Sequence, residues 1–134
     1  MPVPVGYSGK PLIQKLGLKE AQVLKPVGAP EAYAEWIAPL PPGAVVDVDA
    51  AVADLVHLFV GDRAGLEHGA ATALAAVRPG GMLWVSWPKK TSTLFRDLTE
   101  DGLREILLPT GWVDVKVCAV SADWSGLKFL RRKT

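Results

Sequence analysis

Hydrophobic residues in the middle of the chain switch from a helical spacing to a continuous run. One apolar stripe predicts a helix ending at Arg78, and its members are Leu66, Ala70, Ala73, Leu74 and Val77. Pro79 cannot continue a helix, and Gly80-Gly81 can take the positive φ angles that reverse a chain. Residues 82–87 are then almost wholly apolar, which predicts a strand covered on both faces. This helix, turn and strand are typical of half a parallel β-α-β unit.

The N-terminal half predicts a second set of elements. They are an arm and short helix within residues 1–19, strands over 21–27 and 54–60, a helix that begins at Pro30, and a candidate edge strand over 44–48. Only residues 49–53 separate the candidate edge strand from the next strand. A parallel crossover normally needs a dozen residues or more. The run 44–48 must therefore be very short, or not parallel to the strand that follows.

The C-terminal part predicts an antiparallel ending. Residues 91–98 read as a loop, and Thr99 caps a helix that reaches Leu108. Residues 112–120 alternate between apolar and polar, 121–126 turn the chain, and 127–131 return as a strand. The fold class predicted is α/β, three-layer and Rossmann-like, with a mostly parallel sheet and a C-terminal antiparallel hairpin.

Composition indicates the number of domains, the classes of partner and the cellular location to expect. The 134 residues are 49% hydrophobic, so we expect residues 1–134 to form a single domain. A net charge of +1 gives no global field for nucleic acid or an anionic membrane. The single cysteine, Cys118, excludes an internal disulfide and a multi-cysteine metal site, and no metal site is predicted. Without a signal-like N-terminus or an apolar run of ~20 residues, we expect a cytoplasmic location.

Two segments resemble a shortened class I S-adenosylmethionine-dependent methyltransferase. Residues 54–60 resemble the fourth strand of that family, and residues 77–85 resemble its fifth strand with the preceding turn. A closer resemblance, to a bacterial family known as a domain of unknown function, covers almost the whole chain. It rests on residues 7–12, 87–90, 97–101 and 124–128. These resemblances imply a methyltransferase-like fold and no particular activity.

The cofactor loop that the methyltransferase resemblance implies is weak in this chain. Such a loop follows the first strand and needs glycines, so that the backbone and its N–H groups can approach the ligand. Here only Gly28 is present, and Pro26 and Pro30 lack an N–H group. Asp47 or Asp49 stands near the position, roughly 20 residues on, where an acidic residue would bind ribose. No cofactor is therefore expected, with S-adenosylmethionine as the alternative.

A different candidate site follows from the rule that ligands bind outside the carboxyl ends of parallel strands. In this chain several residues at those ends are candidates for an anion-binding rim, namely Arg63, Trp87, Lys89, Lys90 and Ser92. The competing interpretation is that Lys89 and Lys90 belong to an ordinary solvated loop.

Other polar residues have structural explanations. His57 lies in the middle of a predicted apolar strand and is expected to be a hydrogen-bonded core residue. Asp97, Glu100 and Asp101 flank a helix start, where the helix dipole favours negative charge.

Two functional hypotheses follow. The first is a non-catalytic or cofactor-lost methyltransferase-like domain that binds a protein partner or a small anionic ligand at the rim. The second is a small S-adenosylmethionine-dependent methyltransferase that uses Gly28 with Asp47 or Asp49.

Overall fold

The computed structural model describes residues 11–132. In chain order the elements are α1 (Leu12–Leu16), β1 (Val23–Val27), α2 (Tyr33–Ile37), β2 (Val45–Val46), β3 (Ala53–Phe59), α3 (Arg63–Ala75), β4 (Val77–Pro88), α4 (Glu100–Leu107), a 3-10 turn (Leu108–Thr110), β5 (Trp112–Ala119) and β6 (Trp124–Arg131). The N-terminal arm predicted within residues 1–19 begins outside the described residues, and its predicted short helix is confirmed as α1.

All six strands belong to one sheet in the order β2-β1-β3-β4-β6-β5. The first four strands in that order run parallel, and β6 is antiparallel to both β4 and β5. The predicted fold class is therefore confirmed: a mostly parallel α/β sheet with a C-terminal antiparallel hairpin. Strand order reverses between β1 and β3, so the carboxyl ends of these two strands flank the switch point where α/β proteins bind ligands.

Two hydrophobic cores cover the two faces of this sheet. Leu66 of α3 and Leu103 of α4 pack with Val85 and Phe129 on one face. Leu16 of α1 and Tyr33 of α2 pack with other residues of the same strands on the opposite face, among them Trp84. The helix layers on both sides of the sheet explain why β3 and β4 are apolar along most of their length.

The edge strand β2 is parallel but only two residues long, which confirms the first of the two alternatives predicted for residues 44–48. The N–H groups of Val45 and Asp47 bond to the carbonyls of Gln22 and Leu24. Because alternate residues of β1 face β2, the missing N–H of Pro26 points to the same side, beyond the last residue of β2. A proline is thus tolerated in an inner strand because its neighbour ends early.

The boundary between α3 and β4 differs from the prediction. The helix ends at Ala75 rather than Arg78, and Val77 already pairs with Ala53. The next pair is Leu55 with Met82, so residues 78–81 bulge opposite one residue, Asp54. The apolar stripe extended past the helix end because Val77 faces a core as a strand residue. The glycine turn predicted at residues 79–81 is a bulge within the strand.

Strand β6 also begins earlier than predicted, at Trp124 rather than at residue 127. The N–H of Val120 donates to the carbonyl of Trp124, which closes the hairpin over a tighter turn. This shift places Ser125 in the ladder directly opposite Trp87. Among residues 11–132, no helix is long and apolar enough to cross a membrane.

Candidate ligand pocket at the carboxyl end of the sheet

A pocket of about 410 Å³ opens at the carboxyl end of β4. Its lining comes from three parts of the chain: Trp87, Lys89 and Lys90 after β4, Thr99, Glu100 and Asp101 at the start of α4, and Ser125 on β6. The indole of Trp87 also packs into the core on the side of α3 and α4. One apolar residue therefore anchors a pocket whose other lining residues are polar.

The start of α4 forms one wall of this pocket. The Thr99 hydroxyl accepts a hydrogen bond from the Gly102 N–H at 3.1 Å and so caps the helix. An α-helix leaves the first N–H groups of its backbone without intrahelical partners, and its N-terminus carries partial positive charge. The helix dipole at this wall favours negative charge, and Glu100 and Asp101 in the first turn supply part of it.

Those two acidic side chains are held by Arg104 rather than by the lysines. The Arg104 guanidinium contacts Glu100 at 2.5 Å, Asp101 at 3.1 Å and Asp114 at 3.0 Å. Hydrogen bonds from Arg104 to Glu100 and then to Asp114 raise the pKa of Arg104 above its usual value. Among residues 11–132, no ion pair includes Lys89 or Lys90, so both ammonium groups are left for a ligand.

The lysine loop is tied to the β5–β6 turn. The Lys89 N–H donates to the Asp123 carbonyl at 2.8 Å, and the Ser92 hydroxyl donates to the Asp123 carboxylate at 2.8 Å. The Leu94 N–H donates in turn to the Ser92 hydroxyl at 3.0 Å. These bonds hold the backbone on either side of Lys90 against the β5–β6 turn.

The structure separates the five residues predicted for the anion rim. Trp87, Lys89 and Lys90 line the pocket together, whereas Ser92 supports the loop through Asp123. Arg63 lies outside the lining, because its guanidinium pairs with Glu105 at 2.8 Å. Whether the rim binds an anion stays a prediction.

Four pocket residues were not predicted as ligand-binding, namely Thr99, Glu100, Asp101 and Ser125. In the sequence the first three are explained as a helix start, and Ser125 lies within the predicted turn of residues 121–126. The hairpin register would have identified Ser125, since it places that residue opposite Trp87.

A second candidate site lies at the switch point between β1 and β3. Gly28 follows β1 with φ of +71°, and a Cβ atom there would stand 3.1 Å from the Phe59 carbonyl oxygen. Asp47 and Asp49 follow β2 beside the end of β1, and Asp47 accepts a hydrogen bond from the Asp49 N–H at 2.9 Å. The Lys25 ammonium donates to the Val48 carbonyl at 2.7 Å, which attaches this acidic turn to β1.

The acidic end of this second site suits a nucleoside cofactor better than the short helix α2 at its other end does. The exposed carboxylates of Asp47 and Asp49 suit ribose hydroxyls. At the other end, α2 is only five residues long, and the Tyr33 N–H already donates to the Pro30 carbonyl. Pro30 itself has no N–H. In the loop after β1 and the start of α2, neither Pro30 nor Tyr33 therefore has an N–H group available to a ligand.

A buried polar chain lies between the two sites. The His57 ring is fully buried, with Nδ1 2.8 Å from the Tyr33 hydroxyl and Nε2 2.7 Å from the Ser86 hydroxyl. Burial lowers the pKa of His57 from 6.5 to about 3, so the ring is neutral at physiological pH. His57 thus joins α2, β3 and β4, the structural role expected from its place in an apolar strand.

No protein-family model matches the chain, and no curated protein matches it. Solved structures do match its fold. An S-adenosylmethionine-dependent methyltransferase from Aquifex aeolicus superposes with a TM-score of 0.61 at 15% identity, covering 88% of this chain and 86% of its own. The ribosomal protein L11 methylase from Lactobacillus delbrueckii subsp. bulgaricus gives 0.60 at 12% identity, covering 90% and 75%.

A third match binds the product of the methyl donor. It is the 1,6-didemethyltoxoflavin-N1-methyltransferase of Burkholderia thailandensis, solved with its substrate and S-adenosylhomocysteine. The TM-score is 0.58 at 14% identity, and the match covers 85% of this chain and 72% of the enzyme. The fold of this chain is that of class I S-adenosylmethionine-dependent methyltransferases. At such identities the likeness establishes the fold, while function must be argued from the site.

Proposed function

We propose that this methyltransferase-fold domain binds a small anionic ligand in the pocket at the carboxyl end of β4, and that this binding requires no cofactor. The observation that carries the proposal is the division of charge in the pocket. Glu100 and Asp101 are paired with Arg104, whereas Lys89 and Lys90 have no acidic partner among residues 11–132.

The pocket supplies the groups that bind an anion in proteins. Two ammonium groups and the N-terminus of α4 attract negative charge, and the hydroxyls of Thr99 and Ser125 can donate hydrogen bonds. The Trp87 ring provides an apolar surface for the rest of the ligand. A volume of about 410 Å³ suits a small molecule, so a small ligand is favoured over a protein partner.

S-adenosylmethionine-dependent methyl transfer is the second candidate function. The left-handed Gly28 beside Phe59 and the acidic turn of Asp47 and Asp49 favour it, as does the fold shared with known methyltransferases. In that case S-adenosylmethionine would supply the methyl group. Gly28 would allow close approach of the ligand, and one of the two carboxylates would hold the ribose.

Calorimetric titration of inorganic phosphate and of S-adenosylhomocysteine separates these candidates. Three proteins are compared: wild type, K89Q/K90Q and D47N/D49N, in which the exposed carboxylates of the second site become amides. The proposed function predicts that phosphate binds at the pocket alike in wild type and D47N/D49N and that K89Q/K90Q loses this binding event, because only K89Q/K90Q removes the pocket cations. S-adenosylhomocysteine should give no heat of binding with any of them.

Micromolar binding of S-adenosylhomocysteine that is lost in D47N/D49N would establish the second candidate and refute a cofactor-lost domain. Phosphate binding in K89Q/K90Q that still shifts the indole resonance of Trp87 would contradict the pocket as the anion site. Phosphate binding at the pocket should also weaken in a titration at raised salt, because contacts made by exposed lysines weaken as ionic strength rises.

A further inference from the structure

Two lysines face each other across the C-terminal hairpin. Lys116 of β5 and Lys128 of β6 are direct partners in the antiparallel ladder. Lys128 is also paired with Trp84, whose side chain belongs to the core on the side of α1 and α2. The lysine pair therefore lies on the face of the sheet opposite to α4 and the ligand pocket.

Further positive charge converges on this pair from α1 and the residues after it. The Lys128 ammonium lies 3.8 Å from the point that a Cβ of Gly17 would occupy, so it reaches the end of α1. Burial lowers the pKa of Lys128, and the charges of Lys116 and Lys19 lower it further. Lys15 and Lys116 both act on the nearby Cys118 thiol, where they oppose the rise in its pKa caused by burial.

Three of these lysines lack a carboxylate partner in the part of the chain that the structure describes. Within residues 11–132, none of the ion pairs includes Lys19, Lys116 or Lys128. Residues 1–10 contain neither Asp nor Glu. Like charges directly opposite each other in an antiparallel pair destabilise the sheet. In a chain whose net charge is only +1, such a cluster is a local feature rather than a result of general basicity.

We propose that Lys19, Lys116 and Lys128, here called the lysine cluster, bind the phosphate or polyphosphate group of a ligand. Cβ atoms of directly opposed residues stand about 4.5–5.5 Å apart, so two ammonium groups can reach one phosphate. Lysine binds phosphate as a point charge with three donors, without the planar geometry that arginine demands. A group with two or more negative charges cancels the repulsion that the empty cluster carries.

The test uses pyrophosphate as the probe and the K89Q/K90Q variant as the starting protein, so that the ligand pocket does not contribute. Amide resonances of Lys116 and Lys128 are followed by NMR during titration. We expect saturable shifts at both residues. Adding K116Q or K128Q should weaken pyrophosphate binding by about tenfold, as expected for the loss of one charge-assisted contact. Adding R96Q, an equal change of charge at an exposed residue that is not among the charges acting on Lys128, should leave it unchanged.

Thermal unfolding provides a second readout that does not depend on locating the ligand. Without pyrophosphate, K116Q should melt at a higher temperature than its parent, because the opposed charges are relieved. With pyrophosphate, the parent should gain stability and K116Q should gain much less. Absence of saturable shifts at the cluster, or equal loss of binding in R96Q, would overturn the proposal.

Discussion

The Nε2 atom of His57 lies 2.7 Å from the Ser86 hydroxyl oxygen, and both side chains are wholly buried. On the other side of the ring, Nδ1 lies 2.8 Å from the Tyr33 hydroxyl. A neutral imidazole has one donor and one acceptor nitrogen, so it satisfies one hydroxyl at each end. This arrangement joins the crossover helix α2 to the two central strands just below the carboxyl edge that carries the candidate sites.

Stability should decrease as the pH falls, because of His57. Burial lowers the pKa of His57 from 6.5 to about 3, so below pH 6.5 the unfolded chain takes up a proton that the folded chain does not. The contribution of His57 to the free energy of unfolding is fully present above pH 6.5. It is lost by about 1.4 kcal/mol per pH unit as the pH falls from 6.5 toward 3. Urea unfolding of wild type and H57Q between pH 7 and 4.5 measures the difference in slope.

The second histidine supplies a matched control for this pH dependence. His68 is exposed on α3, so H68Q should keep the slope of wild type. Equal slopes in wild type and H57Q would show that His57 is not the group responsible.

Removing the Tyr33 hydroxyl should destabilise the fold while keeping the aromatic packing. Tyr33 is 4% exposed, and its ring stands edge-on to Phe59 with centroids 5.4 Å apart, a contact that Y33F retains. The substitution leaves a buried ring nitrogen of His57 without its partner, which costs about 1–3 kcal/mol. Chemical denaturation of wild type and Y33F gives this value. An unchanged midpoint would mean that the hydrogen bond to His57 contributes nothing net.

The bulge in β4 makes Gly81 sensitive to the smallest side chain. A Cβ at this position would lie 2.6 Å from the Asp54 carbonyl oxygen and 2.9 Å from that of Arg78, both of them backbone atoms. We expect G81A to lose about 3 kcal/mol of unfolding free energy. Gly61 is the matched control, since nothing lies within 4 Å of its Cβ position and G61A should change stability by less than ~0.5 kcal/mol. Similar losses in both variants would contradict the geometry of the bulge.

Arg104 should matter for the ligand pocket more than for stability. Its side chain is 32% exposed, so R104Q is expected to cost only about 1 kcal/mol despite its three carboxylate contacts. The substitution frees Glu100 and Asp101 to pair with Lys89 and Lys90, and phosphate affinity should therefore fall several-fold. Calorimetry on R104Q measures the affinity.

The control for R104Q is R78Q, which breaks the ion pair with Asp54 at the opposite end of β4. Its phosphate affinity should be unchanged. Equal affinities in wild type and R104Q would show that Arg104 does not control the pocket charge.

The periodicity of the sequence predicted the elements best where one physical cause dominated. Strands β3 and β4 were found because they are buried on both faces, and α4 because Thr99 caps it. The α3–β4 boundary was misplaced because Val77 is apolar in either structure. Only its pairing with Ala53, a contact between residues distant in sequence, decides between helix and strand.

The candidate pocket could be predicted only in part, because some of its residues are brought together by contacts between distant parts of the chain. Trp87, Lys89 and Lys90 follow a recognisable strand, so the rule for parallel sheets placed them at a ligand edge. The contribution of Ser125 depends on hairpin register, and that of Arg104 on which carboxylates it reaches. Neither relationship is encoded in local periodicity. The position of Arg63 after β3 predicts a rim residue, whereas its guanidinium pairs with Glu105.

The indole N–H resonance of Trp87 offers the most direct measurement of ligand binding in the pocket. The chain has five tryptophans, and W87F identifies the resonance of Trp87 by its loss. During titration with phosphate, that resonance should shift saturably in wild type and stay still in K89Q/K90Q, because the indole shares the pocket with both lysines. A Trp87 resonance that does not respond in wild type, or that responds equally in K89Q/K90Q, would contradict anion binding at the carboxyl end of β4.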